Sequence, residues 1–226
     1  MSNLLDRLDS AIAEKSMLRH PFYLAWNEGK LTREMLKDYA CQYYHLEKEF
    51  PRMVSAVHTN APDLEVRQHL LENLVDEEQG EENHPELWLR FAEALGASRQ
   101  EVEQAELLPP TRAAVETMMA VCRDGSYQEG MASLYAYESQ IPEIARLKID
   151  GLQRFYGMNE PADYKFFSVH QEADEWHSQV ERDLLAAHTT SGQSDDVQSA
   201  ARSTAAVLWG FLDGVYDEYV DGKIAA

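Results

Sequence analysis

The segment FFSVHQEADEWHSQ places two imidazole groups and one carboxylate at helical spacing. His170, Asp174 and His177 occupy positions i, i+4 and i+7, which lie on one face of an α-helix. Imidazole and carboxylate ligands together suit iron, manganese or zinc. The chain contains eight histidines and 40 acidic residues, so a solvated polar face that binds nothing explains this segment equally well when it is taken alone.

A second segment, VDEEQGEENHPELW, offers a histidine with two candidate carboxylate partners. Glu81 precedes His84 with the Glu-x-x-His spacing of di-metal carboxylate bundles. Glu77 lies two helical turns before His84 and shares its face only if the helix is continuous. Because acids crowd this stretch, an ordinary acidic surface also explains it, and the choice between the two glutamates stays open at this point.

A third carboxylate, Glu138, falls within the apolar stripe of GMASLYAYESQIPEIAR. A buried carboxylate is costly unless it is paired or bound to a cation. A buried ion pair with Arg146 or Lys148 is the structural alternative, although by helical rise Lys148 lies about 15 Å further along the axis.

The three segments together supply three carboxylates and three imidazoles, which suffice for two divalent metal ions with open positions for O2 or a substrate. The joint pattern is more specific than its parts and predicts a di-metal site. Tyrosines are also frequent, at 11 of 226 residues, and include Tyr23 in HPFY and the i, i+4 pair Tyr39 and Tyr43. Core packing is the default for each of them, whereas a tyrosine beside an oxidising metal centre could donate one electron.

The elements that would position these residues are all helical. Apolar residues recur with a helical period, and no convincing alternating strand pattern is found. Proline, glycine and capping residues predict an opening helix, a short helix ended by Gly29 and a long helix from the Thr32 cap to about Thr59. The next helix is capped by Asp63 and should be kinked or in two parts between Glu77 and Gly96. A short acidic helix, a helix ended by Gly125, and three longer helices over 127–156, 161–188 and 197–219 follow. Seven to nine helices with short connections predict an all-α bundle that forms one domain over residues 1–226.

Composition limits the classes of function. The chain carries 40 acidic against 20 basic side chains, which gives a formal net charge of −20. Such a charge repels phosphate backbones and anionic lipids, so we expect neither a nucleic-acid partner nor a membrane partner. The N-terminus is typical of an amphipathic helix rather than a signal peptide, and two cysteines are too few for a secreted disulfide framework. Together these features predict a cytoplasmic protein.

The chain also resembles a known family over nearly its whole length. The matching blocks are FYLAW, LTREMLKDYACQYY, NLVDEE followed by NH and LW, LYAYESQIPEIAR, and EADEWH. They are similar to the chlamydial protein associating with death domains and its bacterial relatives, which are self-sacrificing para-aminobenzoate synthases of the haem-oxygenase-like di-metal oxidase group. The resemblance implies a haem-oxygenase-like bundle of the TenA/PqqC type and an O2-dependent di-metal oxygenase that makes para-aminobenzoate for folate biosynthesis.

The resemblance also implies roles for individual residues. It selects Glu77 over Glu81, because the family glutamate stands seven positions before the histidine. The implied metal ligands are Glu77, His84, Glu138, His170, Asp174 and His177. Tyr23 matches the tyrosine whose side chain becomes the product, Lys148 matches the lysine implicated as amino donor, and Tyr39 matches a further tyrosine near the site. The implied cofactors are iron and manganese with O2 and an external reductant, and the fold usually forms homodimers.

Two other functions stay open from the sequence. A di-metal oxidase could act on an external amine, amino acid or fatty acid, and Tyr23 would then remain intact. A non-enzymatic helical interaction protein could instead dock a basic partner on its acidic surface. The fate of Tyr23 separates the first alternative from the self-sacrificing enzyme. A cofactor-free relative of the same fold is a further alternative, which a metal analysis that finds no iron or manganese would favour.

Overall fold

A computed structural model of the chain describes residues 3–223, apart from the side chain of Glu172. Within these residues the regular secondary structure is helical and contains no strand, which confirms the predicted all-α class. The α-helices are α1 (Leu4–Glu14), α2 (Pro21–Asn27), α3 (Arg33–Asn60), α4 (Leu64–Glu78), α5 (His84–Leu95), α6 (Arg99–Glu103), α7 (Pro109–Asp124), α8 (Tyr127–Glu138), α9 (Ile141–Phe155), α10 (Lys165–His188) and α11 (Ser194–Val215). Short 3-10 segments precede α2 and α10, and a π-helical turn follows α11.

Local sequence signals set the helix ends on either side of the turn between α2 and α3. The Thr32 side chain accepts a hydrogen bond from the backbone N–H of Met35 and fixes the start of α3, as its position predicts. Gly29 follows α2 with φ of +69°, the left-handed conformation that glycine adopts readily. A Cβ at this position would lie 2.5 Å from the Phe155 ring. Glycine is therefore required at this turn by both its backbone conformation and its surroundings.

The prediction of one continuous helix over residues 127–156 is wrong, because the chain breaks at Ser139 and Gln140. Pro142 explains the break. It lies in the first turn of α9, where a missing N–H costs nothing, but it could not donate to the carbonyl of Glu138 in a continuing helix. With this break and the separation of α4 from α5, the described residues contain eleven α-helices rather than seven to nine.

The helices pack around α3 and α10. α3 contacts α4, α5, α7 and α8, whereas α10 contacts α4, α5, α8 and α9. The buried apolar side chains form one continuous cluster. Among the described residues, none of the helices has the length and apolar character that crossing a bilayer requires.

Ionisable side chains interrupt the apolar interior in the region where these helices meet. Those buried there include Glu47, Glu77, His84, Glu138, Lys148, His170, Asp174, His177 and Glu181. Charged residues are almost never fully buried unless they are paired or bind a ligand. This concentration of buried charge therefore marks the candidate functional site.

Candidate metal centre

α10 presents three candidate ligands on its buried face. His170, Asp174 and His177 are 2%, 1% and 1% exposed, as expected for residues that share the inward face. The Nδ1–H of His170 donates a hydrogen bond of 2.8 Å to the carbonyl of Phe166, which leaves the lone pair on Nε2. Burial and the neighbouring His84 hold the pKa of His170 well below its usual value. His170 is thus a neutral imidazole with one free lone pair, as a metal ligand must be.

His177 uses its two ring nitrogens differently. Its Nε2 lies 3.1 Å from Oδ2 of Asp76, a residue that is half exposed to solvent. Its Nδ1 faces the interior, 3.6 Å from Oε1 of Glu138 and 3.9 Å from Oδ1 of Asp174. Both inner distances are too long for hydrogen bonds. Three such atoms are spaced as ligands around a common ion would be.

Glu77, near the end of α4, and His84, at the start of α5, approach each other across the turn between the helices. Nδ1 of His84 lies 2.9 Å from Oε1 of Glu77, and both side chains are buried. Glu81 lies exposed on the turn itself, so the structure brings together the pair that the resemblance selects. Burial alone would lower the pKa of His84, but the Glu77 carboxylate outweighs it and raises that pKa to about 9. Metal binding here would therefore release a proton.

Glu138 is the last residue of α8 and is 1% exposed. The side-chain amide of Asn73 donates to its Oε1 at 2.8 Å. Neither basic residue considered from the sequence is its partner, because Arg146 forms an exposed ion pair within α9 and Lys148 donates to Tyr39. The ion-pair interpretation of Glu138 is therefore wrong, since the break after α8 places both basic residues on a separate helix.

The ligand atoms of these side chains converge in two groups. Within each group they all lie within 4.8 Å of one another. One group consists of Glu138, Asp174 and His177, and the other of Glu47, Glu77, His84 and His170. Sequence analysis missed Glu47. The signal was present, because Glu47 lies on the apolar stripe of α3 with the buried residues Tyr43 and Phe50, as Glu138 does on α8.

The buried carboxylates of the two ligand groups repel one another, and this repulsion disfavours their charged forms. Burial, followed by the charges of Glu138 and Glu77, raises the pKa of Asp174 well above its usual value. Burial and the charge of Glu77 likewise raise the pKa of Glu47 to about 8. One carboxylate oxygen in each of Glu77, Glu138 and Asp174 is buried without a hydrogen-bond partner. Two divalent cations would neutralise this charge and ligate these oxygens, so the residues present fit a di-metal centre.

Divalent metal is expected to stabilise the folded chain, because the ligand groups converge only in the folded state. Free Mn(II) at 100 times its Kd adds about 2.7 kcal/mol per site to the free energy of unfolding. Thermal unfolding of chelator-treated protein should therefore shift upward when Mn(II) is added, and Asp174→Asn should lose most of that shift. Glu175→Gln changes an exposed neighbour on the same helix and should keep it. Equal shifts in the two variants would contradict the role of Asp174.

Lys148 lies in an aromatic pocket together with two tyrosines. Its Nζ donates to the Tyr39 hydroxyl at 2.7 Å and lies 4.7 Å from the centroid of the Tyr23 ring. The hydroxyls of Tyr23 and Tyr39 are 3.3 Å apart. All three side chains are buried. The structure thus brings together, from α9, α3 and α2, the three residues that the resemblance singles out.

Burial determines the protonation of this pocket. The rings of Trp26 and Phe167 also lie close to the Lys148 amine, with centroids 5.4 and 5.1 Å from Nζ. Burial lowers the pKa of Lys148 well below its usual value, although the charge of Glu47 opposes the shift. Burial raises the pKa of the Tyr23 phenol. Burial therefore favours the neutral form of the Lys148 amine and the protonated form of the Tyr23 phenol, and both groups are shielded from bulk water.

A series of phenols connects this pocket to the metal-ligand groups. The ring centroids of Tyr39 and Tyr43 are 5.5 Å apart, and the Tyr43 hydroxyl is hydrogen-bonded to that of Tyr137. Burial raises the pKa of Glu47, and a hydrogen bond with Tyr137 opposes this shift. The Tyr23 ring is therefore linked to a candidate ligand by contiguous aromatic contacts, rather than isolated from the metal-ligand groups.

A cleft of about 480 Å³ reaches the centre from the surface. It is lined by Asp76, Glu82, His84, Val169, Ala173, Trp176 and His177. One histidine of each ligand group, His84 in one and His177 in the other, thus borders the cleft. Tyr23, Tyr39 and Lys148 do not line it, so the cleft serves the metal-ligand side of the site and not the aromatic pocket.

Two further buried groups beside the centre were missed from the sequence. His69 has no hydrogen-bond partner on either ring nitrogen, and its ring centroid lies 6.0 Å from that of His177. Glu181 is fully buried with both carboxylate oxygens unpartnered. Its position one helical turn after His177 was the available signal. Burial and the adjacent Glu138 raise the pKa of Glu181 well above its usual value.

Comparison with known proteins identifies relatives that span almost the whole chain. The sequence profile of the TENA/THI-4/PQQC family matches residues 5–218. The 4-aminobenzoate synthase of Nitrosomonas europaea is 46% identical and covers 94% of this chain and 91% of that protein. The 4-aminobenzoate synthase of Chlamydia muridarum is also 46% identical, covering 93% of this chain and 89% of that protein. A solved structure from Shewanella denitrificans with a haem-oxygenase-like fold has a TM-score of 0.81 at 19% identity, covers 95% of this chain and 93% of that one, and confirms the predicted fold.

Proposed function

The chain belongs to the TENA/THI-4/PQQC family, and on this premise we propose that it is a 4-aminobenzoate (para-aminobenzoate) synthase that serves folate biosynthesis. The observation that carries the proposal is the 46% identity to proteins of that name across 94% and 93% of the chain. The resemblance inferred from the sequence blocks is thereby confirmed. The relatives support an enzyme, and the finer proposal is an O2-dependent di-metal oxygenase.

The proposed precursor of the product is the side chain of Tyr23. 4-Aminobenzoate is a benzene ring with a carboxylate opposite an amine, and tyrosine has the same ring with Cβ opposite a hydroxyl. Conversion requires cleavage of the Cα–Cβ bond, oxidation of Cβ to a carboxylate, and replacement of the ring oxygen by nitrogen. The hydroxyl of Tyr23 lies 3.3 Å from that of Tyr39, and the Lys148 amine lies over the Tyr23 ring, 4.7 Å from its centroid. The ring and the amine that this proposal requires are therefore neighbours.

The proposed metal ligands are the six residues named from the resemblance, which hold two divalent ions, iron and manganese. When bound, these ions would supply reductive activation of O2 with electrons from an external reductant. The protein's own part is to hold the ligand carboxylates in a buried pocket and to keep bulk water from the phenol by packing it among aromatic rings. The two metal-ligand groups and Tyr23 thus lie in the same buried interior of the helical bundle.

Lys148 is the proposed amino donor. Its Nζ would bond to the ring carbon that carries the Tyr23 hydroxyl, and the ring oxygen would leave as water. Oxidation at Cε, with O2 as the oxidant, and hydrolysis of the Cε–Nζ bond would then release the nitrogen with the ring and leave an aldehyde on the lysine side chain. An amine donates its lone pair only when it is unprotonated, and burial lowers the pKa of Lys148 well below its usual value. The Tyr39 hydroxyl accepts the hydrogen bond from Nζ at 2.7 Å and so orients the amine. Because Tyr23 is consumed, each chain would make at most one molecule of product.

The experiment that tests the proposal measures product and protein damage together. Purified protein is loaded with iron(II) and manganese(II), given reductant and air, and assayed for 4-aminobenzoate and for the mass of the peptide that carries Tyr23. We expect no more than one equivalent of product per chain, with loss of the side chain at position 23 in matching amount. Several turnovers with an intact peptide would overturn the self-sacrificing proposal.

A second candidate function keeps the metals and changes the substrate. The cleft of about 480 Å³ that reaches His84 and His177 is the observation in its favour, because it could admit an amine, amino acid or fatty acid. Under this alternative O2 is consumed while Tyr23 stays intact.

We also propose that the chain forms a homodimer, which sedimentation equilibrium of the purified protein would detect as twice the chain mass.

A further inference from the structure

Glu47 is a buried carboxylate that the six proposed ligands leave without a role. It lies in the middle of α3 and is 1% exposed. Its Oε1 has no hydrogen-bond partner, and the nearest imidazole nitrogen, Nε2 of His170, lies 3.8 Å away. This separation is too long for a hydrogen bond. A carboxylate in such a position is costly unless a cation is bound beside it.

The tautomer of His170 leaves the lone pair of its Nε2 facing Glu47. Its Nδ1–H is committed to the Phe166 carbonyl, so Nε2 carries a lone pair and no hydrogen. That lone pair and the Glu47 oxygen are electron-pair donors that share a buried space and lie 3.8 Å apart, too far for a hydrogen bond between them. Both atoms can donate an electron pair to a cation, and they form no hydrogen bond with each other.

The surrounding atoms have the spacing of a coordination shell. Ligand atoms of Glu47, Glu77, His84 and His170 all lie within 4.8 Å of one another. Around an octahedral ion with bonds of about 2.1 Å, adjacent ligands are about 3 Å apart and opposite ligands about 4.2 Å apart. The 4.8 Å limit exceeds the distance between opposite ligands by about 0.6 Å, so side-chain movements of a few tenths of an ångström would let these four atoms surround one ion.

We propose that Glu47 is a ligand of the ion held by Glu77, His84 and His170. This inference rests on the proposed function, because it assigns a further residue to the same centre. The two metal subsites then differ, with four protein ligands in one and three, from Glu138, Asp174 and His177, in the other. The four-ligand subsite holds its ion more tightly, and the three-ligand subsite keeps more positions open for O2.

The test compares Mn(II) binding by the metal-free wild type, Glu47→Gln and Glu181→Gln. Glu181 is the matched control because it is a buried, unpartnered carboxylate next to Glu138 that belongs to neither ligand group. Free Mn(II) is followed by electron paramagnetic resonance during the titration, and bound metal is counted after equilibrium dialysis. We expect two equivalents in the wild type and in Glu181→Gln. In Glu47→Gln one equivalent should bind at least about tenfold more weakly, because that ion loses one of its protein ligands, whereas Glu181→Gln removes no atom from either ligand group.

Thermal unfolding separates loss of a ligand from loss of the fold. Glutamine has the shape of glutamate without its charge, so metal-free Glu47→Gln should unfold at the wild-type temperature or above it, and only its shift on adding Mn(II) should be smaller. Two equivalents bound with wild-type affinity in Glu47→Gln would overturn the inference, as would equal weakening in Glu181→Gln. If the wild-type chain binds neither Mn(II) nor iron(II), whether the metals are offered singly or together, the proposed metal centre itself is overturned, and the inference with it.

Discussion

A Tyr23→Phe variant is expected to form less than about 1% of the 4-aminobenzoate that the wild type forms in the same reaction. Removing the hydroxyl makes the ring much harder to oxidise and removes the oxygen that nitrogen must replace. It also removes the contact of 3.3 Å with the Tyr39 hydroxyl. The measurement is product per chain by liquid chromatography and mass spectrometry, together with the mass of the peptide that contains position 23.

The matched control for this variant is Tyr44→Phe. Tyr44, on α3, is likewise a buried tyrosine, but its side chain lies near the charged residues Arg99 and Glu103 rather than in the aromatic pocket. Its hydroxyl should therefore be dispensable, and the variant should retain wild-type yield. Metal content is measured in both variants, because Tyr23 is not a proposed ligand and its replacement should leave metal binding unchanged. A Tyr23→Phe variant with wild-type yield would exclude this residue as the precursor.

Loss of product on the same scale is expected for Lys148→Arg, because a guanidinium cannot supply a neutral amine. Isotope labelling of the protein identifies the nitrogen source directly. Protein produced with ¹⁵N-labelled lysine should yield 4-aminobenzoate that is heavier by one mass unit. Product of unlabelled mass, or wild-type yield from the arginine variant, would exclude Lys148 as the donor.

Lys148→Met should lose product and gain stability at neutral pH. The variant removes a buried amine whose burial costs on the order of 1–3 kcal/mol. Because the folded-state pKa of Lys148 is lowered well below 10.5, the unfolded chain binds a proton that the folded chain does not, and wild-type stability rises with pH up to the unfolded pKa. The stability advantage of Lys148→Met should therefore be large at neutral pH and shrink as pH approaches that value. Urea unfolding at neutral and alkaline pH measures it, and an advantage that grows with pH would contradict the lowered pKa.

Much of the candidate site is predictable because it depends on geometry within one helix. His170, Asp174 and His177 share a face of α10 for the same reason that any residues at this spacing do, and the structure buries all three. Glu138 was identified by a similar local signal, a carboxylate on an apolar stripe. The same signal was present for Glu47 and was overlooked, because its nearest histidine, His45, is two positions away and lies on a different face of the helix.

Other features depended on how separate helices meet. Periodicity could not choose between Glu77 and Glu81, because the choice depends on where α4 ends and how the turn before α5 folds back. It also placed Lys148 on one helix with Glu138, whereas Pro142 ends that helix and leaves Lys148 on α9 beside Tyr39.

The amino-acid sequence by itself determined the helical class, the faces of the individual helices and the chemical types of the ligands, because these follow from spacing along a single chain segment. Only the tertiary structure decided that the ligand atoms form two groups, that Glu47 joins one of them, and that Tyr23, Tyr39 and Lys148 share a buried pocket. The physical reason is that contacts between helices distant in sequence are set by the packing of whole faces against one another, and no local period encodes which faces will meet.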